Sequence, residues 1–473
     1  MLGLFGSLDL GARSLQTQQQ GVEIAGQNLA NVNNPAYSRQ RLAVAASTPV
    51  DTAVGQQGTG VGTVAIERLR SAILDSQIQS ETSVRGSLAA QQTALQYAEA
   101  NLGQTIDGST AAQGISALAG GQSGLAANLS GLFNRFQSLS TDPSSPTERR
   151  SVLSQATQLA TQFNQIDQRL GGLNGQLNES VKGDISSANE LLSQIADLNS
   201  QIAKSEQKTG GESNDLRDLR EQKLEALSGL VKVDAAVGER GAVNISIAGT
   251  SFVEGGQALD SLETFAGPDG GLLVRSKGGG TPLDITGGSV HGTIEARDGT
   301  VAGLRSSLNA LASQLIQEIN AVHREGFGLT GTTGADFFNG TGAGDIKVNP
   351  DLVGNPSLLQ AAGSAGAVGD RRTAVALAQL ADKKVGSLAD STFSQSYAQT
   401  VAGFGQAISS VDRQLSDQNA VSGMLEKQRA SVSGVSVDEE MTNLMKYQKA
   451  YAASAKLITT IDDMLNDVIN LKR

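Results

Sequence analysis

The sequence contains no cysteine and no tryptophan, and aromatic residues make up only 3% of its 473 positions. Without cysteine there is no disulfide framework, no thiolate metal site and no thiol nucleophile. With so few aromatics, Gly (56 residues) and Ala are left to fill the interior, which favours slender helices packed closely together over a thick globular centre. Positive charge is also short. The 36 basic side chains against 47 acidic ones give a net charge of -11, which repels a phosphate backbone, so no nucleic-acid partner is expected.

No stretch approaches the roughly 20 apolar residues of a membrane span, so membrane insertion is not expected either. The opening Met1-Leu2-Gly3-Leu4-Phe5-Gly6 lacks a positive n-region and is interrupted by Ser7, Asp9 and Arg13. A cleavable signal peptide is therefore not expected.

What the sequence does carry is a seven-residue apolar ladder at each end. Leu8, Leu15, Val22 and Leu29 form the first, and Leu444, Tyr451, Ile458 and Leu465 the second. Such spacing holds a narrow stripe on one side of a helix, as a helix needs when its apolar contact is another helix. The outer faces are polar, with Gln16, Gln18 and Gln19 on one helix and Lys446, Lys449 and Lys456 on the other. Isolated helices of this kind are marginal in water, so the ladders read as an assembly interface. Two ordinary helices packed on a monomer's own core are the alternative.

Between the ends the pattern predicts helices over 7–32, 71–103, 113–140, 151–205, 214–230, 304–325, 373–388 and 393–430. The 151–205 helix rests on Leu159, Phe163, Ile166, Leu170, Leu173, Leu177, Val181, Leu191, Ile195, Leu198 and Ile202, with Gly171-Gly172 and Gly183 as places to bend. Residues 36–70 read as an extended connector. Near Val231 the period changes to two. Val243, Ile245 and Ile247, then Leu272-Leu273-Val274, then Val290, Gly292 and Ile294 predict strands of an inserted β domain. The fold class is mainly α: an elongated multidomain protein with its terminal helices paired as a coiled coil, a helical-bundle rod and a small β insertion. The divisions are 1–35 with 436–473 for the terminal pair and 36–231 with 301–325 and 371–435 for the rod. The β domain takes 232–300, and 326–370 is irregular.

Catalytic signals are weak. Ser436-Val437-Asp438-Glu439 has the spacing of a helix capping box, in which Ser436 and Glu439 satisfy each other's backbone N–H groups; consecutive helical carboxylates do not face one substrate. His291 and His323 lie in unrelated contexts and read as surface or helix-end residues. No metal, cofactor or catalytic site is expected.

The segment NLANVNNPAYSRQ, Asn28 to Gln40, resembles the junction signature of bacterial flagellar axial proteins, carried by Asn28, Asn31, Pro35, Tyr37 and Arg39. Ser436 to Ile458 is similar to that family's closing helix. Asp142-Pro143 through Glu148-Arg149-Arg150, the long helix after it and the stretch from Glu325 to Phe338 resemble the hook-associated protein 1 branch. The resemblance implies a structural subunit of the hook-filament junction, needed for filament assembly, and not an enzyme. It implies self-assembly, hook protein and a second junction protein as partners, a cytoplasmic export chaperone, and type III export to an extracellular place in the flagellum. One departure stands out: Ala36 follows Pro35 where the family has glycine, so the loop must avoid a positive φ or take another turn. A hook or distal-rod subunit shares both tips. A secreted binding or hydrolytic protein using 232–370 is the alternative from another class.

Overall fold

The computed structural model describes residues 3–52, 55–102 and 124–470. Helix α1 (Leu4–Ala30) ends at Asn31, whose N–H reaches back to the last carbonyls of the helix. Four short strands follow: β1 (Gln40–Ala46), β2 (Val50–Thr52), β3 (Gly55–Gln57) and β4 (Val61–Arg68). β1 and β4 form an antiparallel ribbon from Gln40↔Arg68 to Ala46↔Val61, bulged between Ala43 and Val44. α1 rests on this ribbon. Helix α2 (Ala72–Leu102) then enters the body. The expected stop at Gly103, and the start of the helix expected over 113–140, lie outside the described residues; its remainder is α3 (Leu125–Thr141).

Helix α4 (Pro146–Thr209) runs unbroken for 64 residues, about 95 Å at 1.5 Å per residue. Pro146 opens it, Ser145 caps it by accepting from the Glu148 N–H, and Gly210 closes it in the left-handed region at φ 71°. The central glycines do not break it. α5 (Asn214–Leu230) folds back alongside.

The β lobe holds an antiparallel sheet in the order β5 (Asp234–Val237), β6 (Val243–Ile247), β7 (Thr250–Glu254), β8 (Gln257–Ala258), and a hairpin of β9 (Leu262–Ala266) and β10 (Leu272–Ser276). The period of two was a true signal here, since Val243, Ile245 and Ile247 all point inward. Val290, Gly292 and Ile294 are not a strand. They lie in helix α6 (Gly288–Glu295), which passes through a π turn at Ala296–Val301 into α7 (Ala302–Arg324). Gly292 is there because the helix presses on α2: a Cβ would collide with the Ser87 carbonyl.

Residues 326–370 are mostly irregular, with a two-residue pairing of β11 (Phe338–Asn339) and β12 (Lys347–Val348) and the short α8 (Pro350–Gly354). The helix expected over 373–388 is shorter. α9 (Arg372–Gln379) ends early, and the chain turns through Ala389 and Asp390 at positive φ. α10 (Phe393–Ser433) and α11 (Val437–Asn470) complete the chain.

Among the described residues two large hydrophobic cores organise the body, beside a small cluster of Leu74, Ile78 and Leu425. The first joins α2, α3, the first half of α4, α7, α9 and α10 with the 337–361 segment; the second joins the far half of α4, α5, α6 and the β lobe. The sparse aromatics are concentrated rather than missing. Phe133, Phe136, Phe163, Phe337, Phe338, Phe393, Phe404 and Tyr397 all sit in the first core, where the Phe337 and Phe338 rings meet edge to face at 4.8 Å. His323 belongs to this core as well. It stands in the last turn of α7 as expected, yet it is fully buried and not a surface residue. Among the described residues no helix is long and apolar enough to cross a membrane.

Candidate functional site: the terminal hairpin and its root

The two terminal helices pack against each other and run antiparallel, with Gly11 opposite Ile458, Ser14 bonded to Ser454 at 2.8 Å, Gly21 opposite Tyr447 and Asn28 bonded to Glu440 at 3.1 Å. The seam is built from small residues, and this corrects the ladder picture. On α1 the buried positions are Gly11, Thr17, Gly21, Ile24, Ala25 and Asn28. Leu8, Leu15, Val22 and Leu29 flank the seam and stay half-buried. On α11 only Glu440 and Ile461 are buried; Leu444, Ile458 and Leu465 are half-buried, and Tyr451 points outward at 43% exposure. Close approach needs the absence of a Cβ at Gly11 and Gly21, which is why the leucines are displaced sideways.

At the root of the hairpin the junction signature becomes a hydrogen-bond network. Asn28, 1% exposed, uses its whole amide. Its Nδ2 donates to the Gln40 carbonyl at 2.9 Å and to Glu440 Oε2, while its Oδ1 accepts from Tyr37 Oη at 2.8 Å and from the Gln40 N–H at 2.9 Å. Arg39 binds two carboxylates, Glu440 at 2.7 Å and Glu439 at 2.7 Å, and its N–H donates to the Ser433 carbonyl. One short segment thus ties the end of α1, the start of α11 and the end of α10 together. Burial works against the Arg39 charge, but the hydrogen bonds and field of Glu439 and Glu440 outweigh it and hold its pKa above the ordinary value. Burial, helped by the charges of Asp215, Asp218 and Glu440, raises the Tyr37 hydroxyl, which therefore stays protonated as a donor.

On the other side the network reaches α5. Asp218 accepts from the Ser38 N–H at 2.8 Å, from Ser38 Oγ at 2.7 Å and from Arg68 at 2.8 Å, and Gln40 Nε2 donates to Asp215 at 2.9 Å. Arg70 pairs with Asp75 at 2.7 Å beside it.

Of the signature residues, Asn28, Tyr37 and Arg39 come together here. Asn31 caps α1, with Nδ2 on the Gln27 carbonyl, and its own carbonyl accepts from the Asn34 N–H at 2.9 Å, while Pro35 sits exposed at the loop tip. Ala36 avoids a positive φ because Asn34 makes the turn, its Oδ1 accepting from the Ala36 N–H at 3.1 Å. The capping box at Ser436 is not formed, since the Glu439 carboxylate is turned to Arg39; the reciprocal box occurs instead at Thr392 and Gln395. Sequence reasoning missed Glu440, Asp218 and the two seam glycines. Only the glycine spacing, Gly11 and Gly21 on one face of a helix with Ser14, offered a sequence signal. A groove of about 650 Å³ lies against the 31–39 loop, lined on its far side by Glu426, Arg429 and Ser436.

Comparison with known proteins fits this architecture. Residues 111–338 match the family described as flagellar hook-associated protein FlgK helical domain, and residues 422–471 match flagellar basal body rod FlgEFG protein C-terminal. Flagellar hook-associated protein 1 of Bacillus subtilis (strain 168) is 29% identical over 99% of each chain. The Escherichia coli (strain K12) protein of the same name is 23% identical over 97% of this chain and 98% of its own. The solved structure of the flagellar hook junction protein FlgK from Burkholderia pseudomallei superposes with a TM-score of 0.65 at 16% identity, covering 76% of this chain and all of that one. The chain is thus similar over nearly its whole length to flagellar hook-associated protein 1, its body to the FlgK helical domain, and its fold to the Burkholderia FlgK structure.

Proposed function

We propose that this protein is a structural subunit of the bacterial flagellum that forms the hook-filament junction and is required for the filament to assemble, with no enzymatic role. One observation carries the reading most directly: α11 spans 34 residues yet buries only Glu440 and Ile461 among those described. A helix covered so sparsely gains order chiefly when neighbouring molecules complete it. Phe5 at 76% exposure, Met445 at 56% and Ile469 at 66% lie on the same hairpin and leave it unfinished in a solitary chain.

In the assembled state the half-buried Leu8, Leu15, Val22, Leu29, Leu444, Ile458 and Leu465, with the outward Tyr451, would meet copies of the same hairpin and the hairpins of hook protein and a second junction protein. The terminal pair forms the inner layer, the helical rod the next, and the β lobe faces outward. Repeating one head-to-tail contact whose rotation does not close produces a helical array. Ordering the tips only on arrival suits a chain exported unfolded by the type III route, held beforehand by a cytoplasmic chaperone and delivered outside the cell.

A hook or distal-rod subunit would share the terminal hairpin, and the match of 422–471 to a rod family reflects that. The unbroken helix Pro146–Thr209 and the match of the body to the FlgK helical domain favour the junction. Labelled antibody against this chain on isolated flagella should mark one band at the hook-filament boundary. Label along the hook or at the rod would overturn the junction reading.

A further inference from the structure

Two neighbouring helices carry the chain between the cores, and both are softened at the same level. On α4 the first core ends at Leu177 and the second begins at Val181. Around that gap stand Gly171, Gly172, Gly175 and Gly183. A Cβ would meet nothing within 4 Å at Gly172, Gly175 or Gly183, and only the tip of Arg305, at 3.8 Å, at Gly171. Packing therefore requires glycine at none of these positions. In a helix interior glycine also gives up backbone order relative to alanine, so the cluster makes α4 locally pliant.

The adjacent helix departs from α geometry over Ala296–Val301, where the π turn joins α6 to α7. Such turns interrupt the i→i−4 hydrogen-bond register and mark points where a helix bends. The π turn sits beside the glycines. Arg297 Nη1 donates to Asn178 Oδ1 at 2.6 Å, and Arg305 grips Asp167 through two nitrogens, at 2.7 and 3.1 Å. Against both stretches opens a cleft of about 820 Å³, whose lips are the 269–271 turn of the β lobe and the 341–345 loop of the rod. Gly, Asp, Asn, Ser, Thr and Arg line it, with Ala302 the one apolar side chain among the lining residues, so no apolar contact holds the lips together. On the other flank α2 remains α-helical throughout. It touches α5 and α6 with one half and enters the first core with the other.

We propose that this level is a hinge: the β lobe rocks toward and away from the rod about α2, bending α4 at 171–183 and the neighbouring helix at its π turn, so that the polar cleft closes and opens.

Because the sequence has no cysteine, a label pair can be placed uniquely. Val237→Cys on the β lobe and Val353→Cys on the rod are both exposed positions. Electron-electron distance distributions on the full chain should be broad in the parent. They should narrow by about half once Gly172, Gly175 and Gly183 are replaced by alanine. Gly175→Ala alone should narrow them in the same direction, which keeps the test open if the triple variant folds poorly. Gly403→Ala with Gly423→Ala, open positions on α10, should change nothing. A single narrow distribution in the parent overturns the hinge, and so does a broad one that the α4 alanines leave untouched.

Discussion

Ile458 occupies the place a side chain on Gly11 would need: a Cβ built on Gly11 would stand 2.8 Å from Ile458 Cγ1. Nearly three turns further along α1, a Cβ at Gly21 would stand 2.5 Å from the Tyr447 ring. The terminal hairpin is thus closed by two glycines, each receiving a large residue of the partner helix, while the leucines lie to the side.

Gly21→Ala should therefore open the hairpin. Overfilling a packed seam costs about 1–3 kcal/mol, and here the obstacle is an aromatic ring rather than a flexible tip. Gly26, where a Cβ would meet nothing, is the internal comparison: Gly26→Ala should stabilise the same helix by about 1 kcal/mol through propensity alone. Amide exchange along α1 and α11 measures both, faster for the first variant and slower for the second.

Asn28→Ala should uncouple the hairpin from the body. The substitution strands the Gln40 carbonyl and N–H, the Tyr37 hydroxyl and one Glu440 oxygen at a site only 1% exposed. Leaving buried polar groups unpaired costs about 1–3 kcal/mol each where no water can reach them. The expected outcome is a loss of about 3 kcal/mol in the protection of α1 and α11, with the protection of α4 unchanged. Proteolysis between residues 31 and 40 gives a second readout.

How far the sequence reveals this arrangement depends on whether a signal is local. The course of α4 is written in Leu159 through Ile202, its start in Ser145-Pro146 and its end in Gly210, all readable within one turn of where they act. Asn28, Tyr37 and Arg39 are legible through the junction signature. Their acceptors are not, because Glu440 lies 412 residues from Asn28 and Asp218 lies 180 from Ser38, and one sequence carries no record of who faces whom. Val290, Gly292 and Ile294 misled for a physical reason. Alternating apolar and small residues fit a strand, but Gly292 is small because α2 passes over it. His323 misled in the opposite sense, since a lone histidine near a helix end gives no sign that Gln360 and Ala335 will close over it.

His323 should make the fold sensitive to mild acid. Its Nδ1 meets the Ala335 carbonyl at 2.8 Å and its Nε2 accepts from the Gln360 N–H at 3.0 Å, an arrangement only the neutral ring with its proton on Nδ1 satisfies. Burial lowers its pKa from 6.5 to about 4, although the bond to Ala335 and the charge of Asp336 work the other way. A histidine depressed in the folded state costs nothing above its unfolded pKa. Below it the unfolded chain takes up a proton that the folded chain refuses. Stability should fall by about 1.4 kcal/mol per pH unit from 6.5 down to 4, roughly 3 kcal/mol in all, and level off below. Urea unfolding of the parent and of His323→Gln across this range isolates the effect, because carboxylate titrations common to both cancel in the difference. The variant should be less stable at pH 7 and should lack the excess slope.

The methionines give the assembly surface its most direct test. Apart from Met1, every methionine of the chain lies between residues 424 and 464, and Met424, Met441, Met445 and Met464 are each exposed, from 44% to 58%. An unbranched, polarisable side chain held in water by a helix is poorly explained by the monomer's own packing. It suits a surface that must adapt to neighbours of differing shape. Met445→Asp removes that character without touching the Gly21 and Tyr447 contact or the Asn28 network, so circular dichroism and thermal midpoint should match the parent within about 0.5 kcal/mol, the range usual for surface substitutions. Incorporation into flagella should be lost, because a carboxylate would then be buried unpaired in each contact between neighbours. Met445→Leu should restore it. Normal assembly by the aspartate variant would show that this face of the hairpin stays in solvent and that the neighbours dock elsewhere.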